Sequence, residues 1–396
     1  MKKTKVVFVG LSGGVDSAVS AALLKYGTSL PAGRQGYEVV GVFIRTWHPD
    51  FLECNEEEER RDAMRVAAHL DIPFLTFDLA DVYKKEVADY MIAEYKAGRT
   101  PNPDVICNKE VKFGAFLKKA ISMGADYVAT GHYSRNQLRI TNYELKKGID
   151  PTKDQTYFLW TLKQEQLKKI LFPIGQLKKS EVRKLAKKFN LPVAEKKDSQ
   201  GICFLGAVDL KDFLKHYIKE KKGKVIRSDL KSLKRPDLGE EIGYHHGVVF
   251  YTLGERHGFT ITKKSPNDGP YYIIEKNIKK NILYVSQNPN SNPLLVEEGA
   301  GGGNSKKHHP ALKGTPPHQG GEEIHLKDTN WITEIPKPNK KYTAQIRYHS
   351  EFLPCKIICE SKASAKVLFN KPILVASGQS CVIYDKNICL GGGVVV

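Results

Sequence analysis

The sequence predicts an α/β fold with three parts: a parallel-sheet N-terminal domain over residues 1–215, a small β-rich central domain over 216–285 and a C-terminal β-barrel over 286–396. Three observations predict it. Apolar strand-like runs alternate with helical segments up to about residue 135, which favours a parallel sheet with helices on both faces. Short strands and turns dominate the central part. Alternating strands recur from about residue 330, as in a barrel or sandwich.

The first junction between a strand and a helix carries the most specific signal. Residues 6–9 form an apolar run that predicts a strand, and residues 18–24 predict a helix. The turn between them consists of Gly10, Leu11, Ser12, Gly13, Gly14, Val15, Asp16 and Ser17. Glycines allow close approach of a phosphate, and a helix start presents free N–H groups to it. The spacing matches neither the Walker nor the dinucleotide pattern, and it resembles the loop of enzymes that split ATP into AMP and pyrophosphate.

The rest of the first domain repeats the alternation. Strands are predicted over 39–44, 74–77 and 127–130, and helices over 56–70, 82–97 and 113–123. In the helix over 56–70, the spacing predicts a buried face that consists of Met64, Ala67, Ala68 and Leu70. Parallel sheets bind ligands outside the carboxyl ends of their strands. The glycine loop, Ile44 and Gly131 all fall at such ends.

Charge and hydropathy narrow the class of protein. The net charge of +18 favours a nucleic acid as partner, since each contacted phosphate attracts a basic side chain. The predicted helical region from about 156 to 215 contains a basic cluster of Lys178, Lys179, Arg183, Lys184, Lys187 and Lys188. A solvated helix face explains that cluster equally well. No apolar run reaches the roughly 18–20 residues of a membrane span, and the run after the N-terminal lysines is too short for a signal peptide. A cytoplasmic protein is therefore expected.

The cysteines divide into two groups. Seven of them, an odd number spread over a long chain, favour reduced thiols over a disulfide framework. Cys107 and Cys203 lie in polar, loop-like neighbourhoods whose charges can lower a thiol pKa, so both are candidate functional thiols. Cys54 precedes an acidic run that should raise its pKa. The others lie in strand-like segments and are interpreted as small apolar fillers: Cys355, Cys359, Cys381 and Cys389.

Two segments interrupt the pattern. Residues 28–36 separate the first helix from the next strand, and residues 299–323 contain a triple glycine and a Pro-Pro pair. Their composition cannot bury a core, so both are predicted to be exposed, mobile insertions. A polar loop explains the local histidines better than an adventitious metal site does: His308, His309, His318 and His325.

Six motifs in combination resemble the bacterial-type tRNA-specific 2-thiouridylases over nearly the whole chain outside the two insertions. They are GLSGGVDS at 10–17, GRTPNPDVICNKEVKFGAF at 98–116, ATGHY at 129–133, KDQTYFL at 153–159, KDSQGICF at 197–204 and YTLGERHG at 251–258. The resemblance implies an adenine-nucleotide α-hydrolase-like N-terminal domain. It also implies an enzyme that uses ATP to replace the 2-oxygen of the wobble uridine in tRNA by sulfur.

The resemblance implies a nucleotide site and a sulfur site. Residues 10–17, Ile44 and Gly131 would bind ATP, with Mg²⁺ nearby. An iron–sulfur cluster is not expected, because the sequence has no C-x-x-C pair with a third cysteine. The family usually has methionine at the Ile44 position, so only a backbone or generic apolar contact carries over. Cys203 would carry the incoming sulfur as a persulfide. Cys107 would be the resolving nucleophile and would form a transient disulfide with Cys203.

The resemblance further implies how tRNA is held. The pocket for the flipped target base would be lined by Asn102, Pro103 and Asp104, of which Asp104 could act as acid or base. Contacts to tRNA are implied for His132, Lys153, Asp154, Gln155, Arg347, Tyr348 and Gln379. The family has arginine where this chain has His349, which weakens one expected phosphate contact. The implied partners are the anticodon stem-loop of tRNA and a persulfide-donating sulfur carrier protein, with no membrane.

Two other functions fit part of the sequence. A pyrophosphate-loop ligase that amidates a small carboxylate would explain the glycine loop, but not Cys107, Cys203 or the net charge. A non-catalytic RNA-binding protein with a dead nucleotide fold would explain the charge, but Ser12, Asp16 and Ser17 are all intact. Release of pyrophosphate that depends on tRNA separates thiolation from the first alternative. Incorporation of sulfur separates it from the second.

Overall fold

The computed structural model describes residues 4–27, 37–52, 55–197, 203, 209–228, 239–288 and 320–396. In chain order the strands are β1 (Val6–Gly10), β2 (Glu38–Arg45), β3 (Phe74–Asp78), β4 (Tyr127–Ala129), β5 (Ser134–Arg139), β6 (Asn142–Lys147), β7 (Ile170–Leu171), β8 (Gly223–Arg227), β9 (Glu240–His245), β10 (Thr260–Ile261), β11 (Tyr272–Asn277), β12 (Ile282–Ser286), β13 (Gly320–Trp331), β14 (Tyr342–Gln345), β15 (Leu353–Cys359), β16 (Ser364–Leu374), β17 (Ser380–Asp385) and β18 (Ile388–Val395).

The helices in the same regions are mostly short. They are α1 (Val15–Tyr26), α2 (Glu56–His69), α3 (Ala80–Tyr83), α4 (Tyr90–Lys96), α5 (Pro103–Ile106), α6 (Leu117–Ser122), α7 (Gln164–Leu167), α8 (Lys179–Lys188) and α9 (Leu210–Lys215). Two π-helical segments, Lys84–Asp89 and Cys107–Phe116, join α3 to α4 and α5 to α6. Single 3₁₀ turns cover Thr156–Leu159 and Val248–Phe250.

The N-terminal sheet is parallel and has the strand order β3-β2-β1-β4-β7. Its central strands are apolar on both faces, as expected for a sheet that helices cover on both sides. Two sets of buried side chains, one on each face, fill the layers between sheet and helices. The predicted parallel-sheet domain is confirmed, and the carboxyl ends of β1, β2 and β4 meet at one edge.

Helix α2 buries a different set of residues from the one predicted. Ala63, Val66, Ala67 and Leu70 are buried, whereas Met64 is 43% exposed and Ala68 is also exposed. The buried set follows the i, i+3, i+4, i+7 spacing of a single helix face. The prediction was wrong for Met64 and Ala68, because Ala63 and Val66 share the buried helix face with Ala67 and Leu70 instead.

The segment around Cys107 is helical, so the predicted loop is wrong there. The chain from Pro103 to Ser122 is one continuous helical run of α5, the π-helical segment and α6. Asn102 caps its start, with its Oδ1 accepting a hydrogen bond from Val105 N at 3.2 Å. Pro103 is the first helical residue, where its missing N–H costs nothing and its fixed φ suits the helix. The Asn-Pro pair is therefore a helix start.

The central domain is a β-sheet with the order β10-β9-β8-β12-β11. Its pairs are antiparallel except for β8 and β12, which run parallel. Its apolar face joins the main core of the N-terminal domain, because Val225, Ile273 and Leu283 belong to the same buried cluster as Val105. The predicted β-rich central module is confirmed.

The last domain is a barrel that six strands close within the described residues, in the order β13-β16-β15-β14-β17-β18 and back to β13. Its interior is filled by alternating apolar side chains such as Ile357, Val367 and Ile383. The predicted barrel is confirmed. Strand β13 begins at Gly320 and so overlaps the end of the insertion predicted over 299–323, of which residues 299–319 lie outside the described part of the chain.

A hairpin from the first half of the chain extends the barrel sheet. Strands β5 and β6 pair with each other, and β6 pairs antiparallel with β18 through Lys146–Ile388 and Leu145–Cys389. This hairpin was not predicted from the sequence. It ties the N-terminal domain directly to the barrel.

Candidate active site

The glycine loop adopts a conformation that leaves a helix start open to an anion. Gly13 has a φ of +72°, and Gly14 is the extended residue before α1, which has no side-chain cap. The hydroxyl of Ser17 accepts from Ser12 N at 3.2 Å and donates to Gly14 O at 3.0 Å. The loop is therefore held by its own serines, and the first N–H groups of α1 remain available to a negatively charged ligand.

Neighbouring elements pack tightly against this loop. A Cβ on Gly131 would lie 2.8 Å from Asp16 C and from Ser17 N, and a Cβ on Gly13 would lie 2.5 Å from Glu59 O. Gly131 follows β4, so the end of that strand abuts the loop backbone directly. Ile44, near the end of β2, is buried. The structure thus brings the loop and Gly131 together.

Asp16 is held by two side chains from distant parts of the chain. The ammonium group of Lys179 lies 2.8 Å and 2.9 Å from its two carboxylate oxygens, and the hydroxyl of Tyr133 donates to Oδ1 at 2.8 Å. Lys179 is the first residue of α8 and its side chain is 15% exposed. The negative charge of Asp16 at the open end of α1 is therefore neutralised by Lys179.

The two candidate thiols are in contact. Cys107 Sγ lies 3.5 Å from Cys203 Sγ, although the residues are 96 positions apart. Cys107 is fully buried at the start of its π-helical segment, and Cys203 is partly buried. The sulfurs need to approach by only a small distance to form a disulfide, whose S–S bond is about 2.05 Å.

Asp104 and Tyr83 fix the backbone of Cys203. The amide of Cys203 donates to Asp104 Oδ1 at 2.9 Å, and the hydroxyl of Tyr83 donates to Cys203 O at 2.8 Å. Burial raises the pKa of the Asp104 carboxyl, partly opposed by that hydrogen bond and by the charge of Lys112. A carboxyl with a raised pKa beside two thiols can both accept and return a proton.

The thiols differ in acidity. The hydrogen bond from the Cys107 thiol to Cys203 lowers the pKa of Cys203, and the ammonium group of Lys112 lowers it further against the effect of burial. Burial raises the pKa of Cys107, and its role as proton donor to Cys203 adds to the increase. Of the two thiols, Cys203 therefore has the lower pKa and ionises first.

A short chain of contacts connects the glycine loop to the thiols. Gly131 touches the loop, and the next residue, His132, is buried between the rings of Phe113 and Phe172. Burial lowers the pKa of His132 well below its ordinary value, and the nearby charge of Lys112 lowers it further. Lys112 in turn interacts with both thiols. The residues Gly131, His132 and Lys112 therefore link the two candidate sites.

The segment before Cys107 is tied to both other domains. Gly98 O accepts from Lys276 Nζ at 3.0 Å, and Thr100 N donates to Ser377 O at 2.8 Å. Tyr157 hydrogen-bonds to Asn102 and donates to Ser380 O at 2.9 Å. Residues 98–104, which include Asn102, Pro103 and Asp104, are therefore positioned by all three domains.

Among the residues implied as tRNA contacts, several side chains are engaged inside the protein. His132 Nδ1 lies 2.7 Å from Thr130 Oγ1. Asp154 Oδ1 accepts from Gly148 N at 3.0 Å, and Gln155 Oε1 accepts from Tyr133 N at 3.0 Å. Burial raises the pKa of Asp154. Lys153, the neighbour of these two, is partly exposed.

Among the barrel residues implied as tRNA contacts, Arg347 reaches the central domain. Arg347 Nη2 donates to Leu253 O at 2.7 Å, and Gln379 Oε1 accepts from Ala376 N at 3.2 Å. Tyr348 is partly exposed, and its ring stacks 3.8 Å from that of His349. His349 is exposed and has a φ of +61°. An aromatic pair on this surface can stack on nucleobases.

The remaining candidates fall into two groups. Cys355, Cys381 and Cys389 are buried in barrel strands and Cys359 is partly buried, as predicted, and burial raises the pKa of each thiol. His325 lies in β13 and pairs with Glu323 at 3.0 Å. The described part of the chain does not include Cys54, His308, His309, His318 or residues 28–36. Where residues are described, no three His, Cys, Asp or Glu side chains form a metal-binding group, and no helix is long and apolar enough to cross a membrane.

Comparison with known families agrees with this architecture. The family described as "tRNA methyl transferase HUP domain" matches residues 5–207, the "tRNA methyl transferase PRC-barrel domain" matches 211–287 and the "Aminomethyltransferase beta-barrel domain" matches 321–395. The tRNA-specific 2-thiouridylase MnmA of Alkaliphilus oremlandii is 40% identical over 100% of this chain and 97% of its own length. The chain belongs to the tRNA-specific 2-thiouridylase family.

Further members of the 2-thiouridylase family match over similar lengths. MnmA of Francisella philomiragia is 38% identical over 100% of both chains. MnmA of Geobacillus thermodenitrificans is 40% identical over 99% of this chain and 95% of its own length. The match therefore includes all three domains.

Four residues of this 2-thiouridylase-family site were missed by sequence reasoning: Tyr83, Lys112, Tyr133 and Lys179. Lys179 was interpreted as part of a basic helix face, and its pairing with a residue 163 positions away has no local signal. Lys112 follows Cys107 by five residues. This spacing places two side chains on the same face of a π-helix, but not of an α-helix.

Proposed function

We propose that this chain is a tRNA sulfurtransferase that uses ATP to replace the 2-oxygen of the wobble uridine by sulfur, releasing AMP and pyrophosphate. The observation that carries the proposal is the 3.5 Å contact between Cys107 and Cys203 beside Asp104, in a chain that also has an open, glycine-rich helix start. Family membership supports it, because the relatives are named as tRNA-specific 2-thiouridylases.

The first step is activation of the base. A uridine 2-carbonyl is a poor electrophile, so its oxygen attacks the α-phosphate of ATP, and pyrophosphate leaves. The N–H groups at the start of α1 and the ammonium group of Lys179 would hold the phosphates. Ile44 and Gly131 would contact the adenosine part.

Mg²⁺ would accompany ATP and neutralise part of the phosphate charge. Asp16 is the loop carboxylate that would meet it, and most of its other ligands would be phosphate oxygens and water, as is usual for this ion. Because Lys179 binds both oxygens of Asp16 in this structure, Mg²⁺ would meet this carboxylate only after the ammonium group has moved to the phosphates. The proposal requires no iron–sulfur cluster.

The second step delivers sulfur. The thiolate of Cys203 attacks the outer sulfur of a donor persulfide, whose S–S bond breaks with the electron pair leaving on the donor. The Cys203 persulfide then attacks C2 of the adenylated uridine, the C2–O bond breaks, and AMP leaves with the oxygen. Cys203 is now joined to C2 through a disulfide.

The third step releases the product. Cys107 gives its proton to Asp104, and its thiolate attacks Cys203 Sγ. The bond between Cys203 and the transferred sulfur breaks, the electron pair leaves on the 2-sulfur, and Asp104 returns the proton to N3 of the base. The two cysteines end as a disulfide, so a dithiol reductant must restore them before the next cycle.

Binding of tRNA would rest on charge, shape and base flipping. The net charge of +18 favours a polyanion, and the target base must leave the anticodon stack to reach the thiols. Asn102, Pro103 and Asp104 would line its pocket. The sulfur donor would be a carrier protein that presents a persulfide close to Cys203.

The alternatives explain less of the site. A carboxylate-amidating ligase has no use for the thiol pair, and a non-catalytic RNA-binding protein has no use for the ion pair at Asp16. One matching family carries a name that refers to methyl transfer. Two thiols in contact fit sulfur transfer through a disulfide better than they fit methyl transfer.

The decisive experiment is mass analysis of unmodified tRNA after incubation with the protein, ATP, Mg²⁺ and a persulfide source. The expected result is replacement of oxygen by sulfur in the wobble uridine, and loss of that change when ATP is omitted. Pyrophosphate release driven by a small carboxylate, without a change in tRNA mass, would favour the ligase. Tight tRNA binding with neither activity would favour the RNA-binding protein.

A further inference from the structure

The thiol pair has a cationic neighbour, Lys112. It lies on the same π-helical segment as Cys107, five residues further on. Hydrogen bonds in a π-helix run from residue i to i+5, so these two side chains lie on one face. The Lys112 side chain is partly buried, hydrogen-bonds to Cys203 and interacts electrostatically with Cys107 and Asp104.

The surroundings keep Lys112 charged. Burial lowers the pKa of its ammonium group, but the interactions with Cys203, Cys107 and Asp104 outweigh burial and raise the pKa above the ordinary value. The hydroxyl of Tyr83 and the carboxylate of Asp104 bind the backbone of Cys203 and not its sulfur. A buried thiolate needs a partner such as Lys112, because an uncompensated charge in a dry site is strongly disfavoured.

We propose that Lys112 serves the two thiols in turn. It first holds Cys203 as the thiolate that accepts sulfur from the donor. After Cys203 has become part of a neutral disulfide with the base, Lys112 pairs with Cys107 and stabilises the thiolate that breaks this disulfide. The proposal rests on the proposed function for the order of the two nucleophiles. Lys112 itself neither gains nor loses a proton.

The geometry allows this exchange of partners without a large movement. The two sulfur atoms are 3.5 Å apart, so a cation next to one is within electrostatic range of the other. Both thiols interact with Lys112 in the resting structure. Loss of the charge on Cys203 is therefore enough to make Cys107 the stronger partner.

The experiment measures each thiol separately. The rate of alkylation by iodoacetamide is followed from pH 5 to pH 10 by peptide mass analysis, on Cys203 in a Cys107→Ser variant and on Cys107 in a Cys203→Ser variant. Each is compared with the same protein carrying Lys112→Met. The expected result is that Lys112→Met raises the pKa of both thiols by about 1 to 3, the usual effect of one opposite charge.

Control variants distinguish the loss of the positive charge at Lys112 from a change in the structure of the site. Lys112→Arg keeps the positive charge and should leave both thiol pKa values close to their starting values. Lys118→Met is the matched substitution on an exposed lysine of α6 and should change neither. Thermal unfolding checks that each variant is folded, and Lys112→Gln replaces Lys112→Met if the latter does not fold.

The outcomes are distinguishable from those for the proposed function, because the alkylation assay uses neither ATP nor tRNA. Unchanged thiol pKa values in both backgrounds would overturn the proposal even if tRNA gains sulfur. A change at Cys203 alone would overturn the shared role. Raised pKa values at both thiols in a protein that never thiolates tRNA would support the role of Lys112 in thiol activation and would count against the function instead.

Discussion

Lys179 and Asp16 form a two-point ion pair, with the lysine nitrogen 2.8 Å and 2.9 Å from the carboxylate oxygens. The pair joins the start of α8 to the loop that follows β1, across 163 residues of sequence. Lys179 neutralises the Asp16 carboxylate, which would otherwise repel a phosphate at the open start of α1, and so preserves the positive potential of the helix start. Phosphate binding by the loop should therefore depend on Lys179, which is far from the loop in the sequence.

Replacing Lys179 by Met should weaken the use of ATP. The expected change is a roughly ten- to hundredfold increase in KM for ATP, the effect of losing one charged hydrogen bond. The measurement is tRNA-dependent release of pyrophosphate at a series of ATP concentrations. Lys184→Met, on an exposed residue of the same helix, is the control. An unchanged KM in Lys179→Met, with the protein folded, would remove this lysine from the phosphate site.

Replacing Gly131 by Ala should displace the glycine loop. The new Cβ would lie 2.8 Å from backbone atoms of Asp16 and Ser17, which is too close for any rotamer change to relieve. We expect a loss of about 1 to 3 kcal/mol in the free energy of unfolding by urea, and weaker ATP binding. Gly269→Ala, where no atom lies within 4 Å of the new Cβ, should leave both quantities unchanged. Wild-type ATP binding in Gly131→Ala would contradict the contact.

Replacing Cys203 by Ser should separate the two half-reactions. Cys203 lies outside the glycine loop, so AMP and pyrophosphate formation should remain measurable while sulfur transfer to tRNA is lost. The measurement combines pyrophosphate release with the mass of the tRNA. Cys359→Ser, on a partly buried thiol of the barrel, is the control and should retain both activities. Loss of pyrophosphate release in a correctly folded Cys203→Ser protein is the result that would refute the assigned role.

Acid should destabilise the central domain through His245. This ring is fully buried, with Nδ1 accepting from Gly247 N at 3.0 Å and Nε2 lying 3.2 Å from Asn281 O, a pattern that suits the neutral tautomer. Burial lowers its pKa from 6.5 to about 4. The unfolded chain therefore binds more protons between these values, and the free energy of unfolding should decrease as the pH falls from 6.5 to 4, by up to about 3 kcal/mol.

Urea unfolding at pH 7 and pH 4.5 measures this effect. His245→Gln should have a smaller decrease than the wild type over that interval, since the variant has no imidazole to titrate. His246→Gln, on the exposed neighbouring residue, should keep the wild-type decrease. Equal decreases in the wild type and in His245→Gln would show that another group controls acid stability.

Much of the N-terminal domain could be predicted because its signals are local. The strand, the glycine turn and the helix start around Ser12 lie within about twenty consecutive residues, and β1, β2 and β4 each consist of short apolar runs. The convergence of Gly131 on the loop followed from the rule that parallel strands end at the same edge. Long-range pairings had no such signal.

The errors near the thiols have a physical explanation. Pro103 suggested a loop, but after the capping side chain of Asn102 it begins a helix instead. That change turns Cys107 from a solvated loop thiol into a fully buried one, whose pKa burial raises. The contact between Cys107 and Cys203, like the roles of Lys112 and Lys179, depends on tertiary packing that no local pattern encodes.

The pairing of β6 with β18 affects how the molecule can be assembled. Leu145 pairs with Cys389, and the two residues are more than 200 positions apart. The ribosome therefore synthesises β6 long before it synthesises β18. Until β18 has left the ribosome, one edge of the hairpin has backbone N–H and C=O groups without their final hydrogen-bond partners. The N-terminal domain therefore cannot reach its final form during translation of the first two domains, and a version cut before β18 should expose a strand edge prone to aggregation.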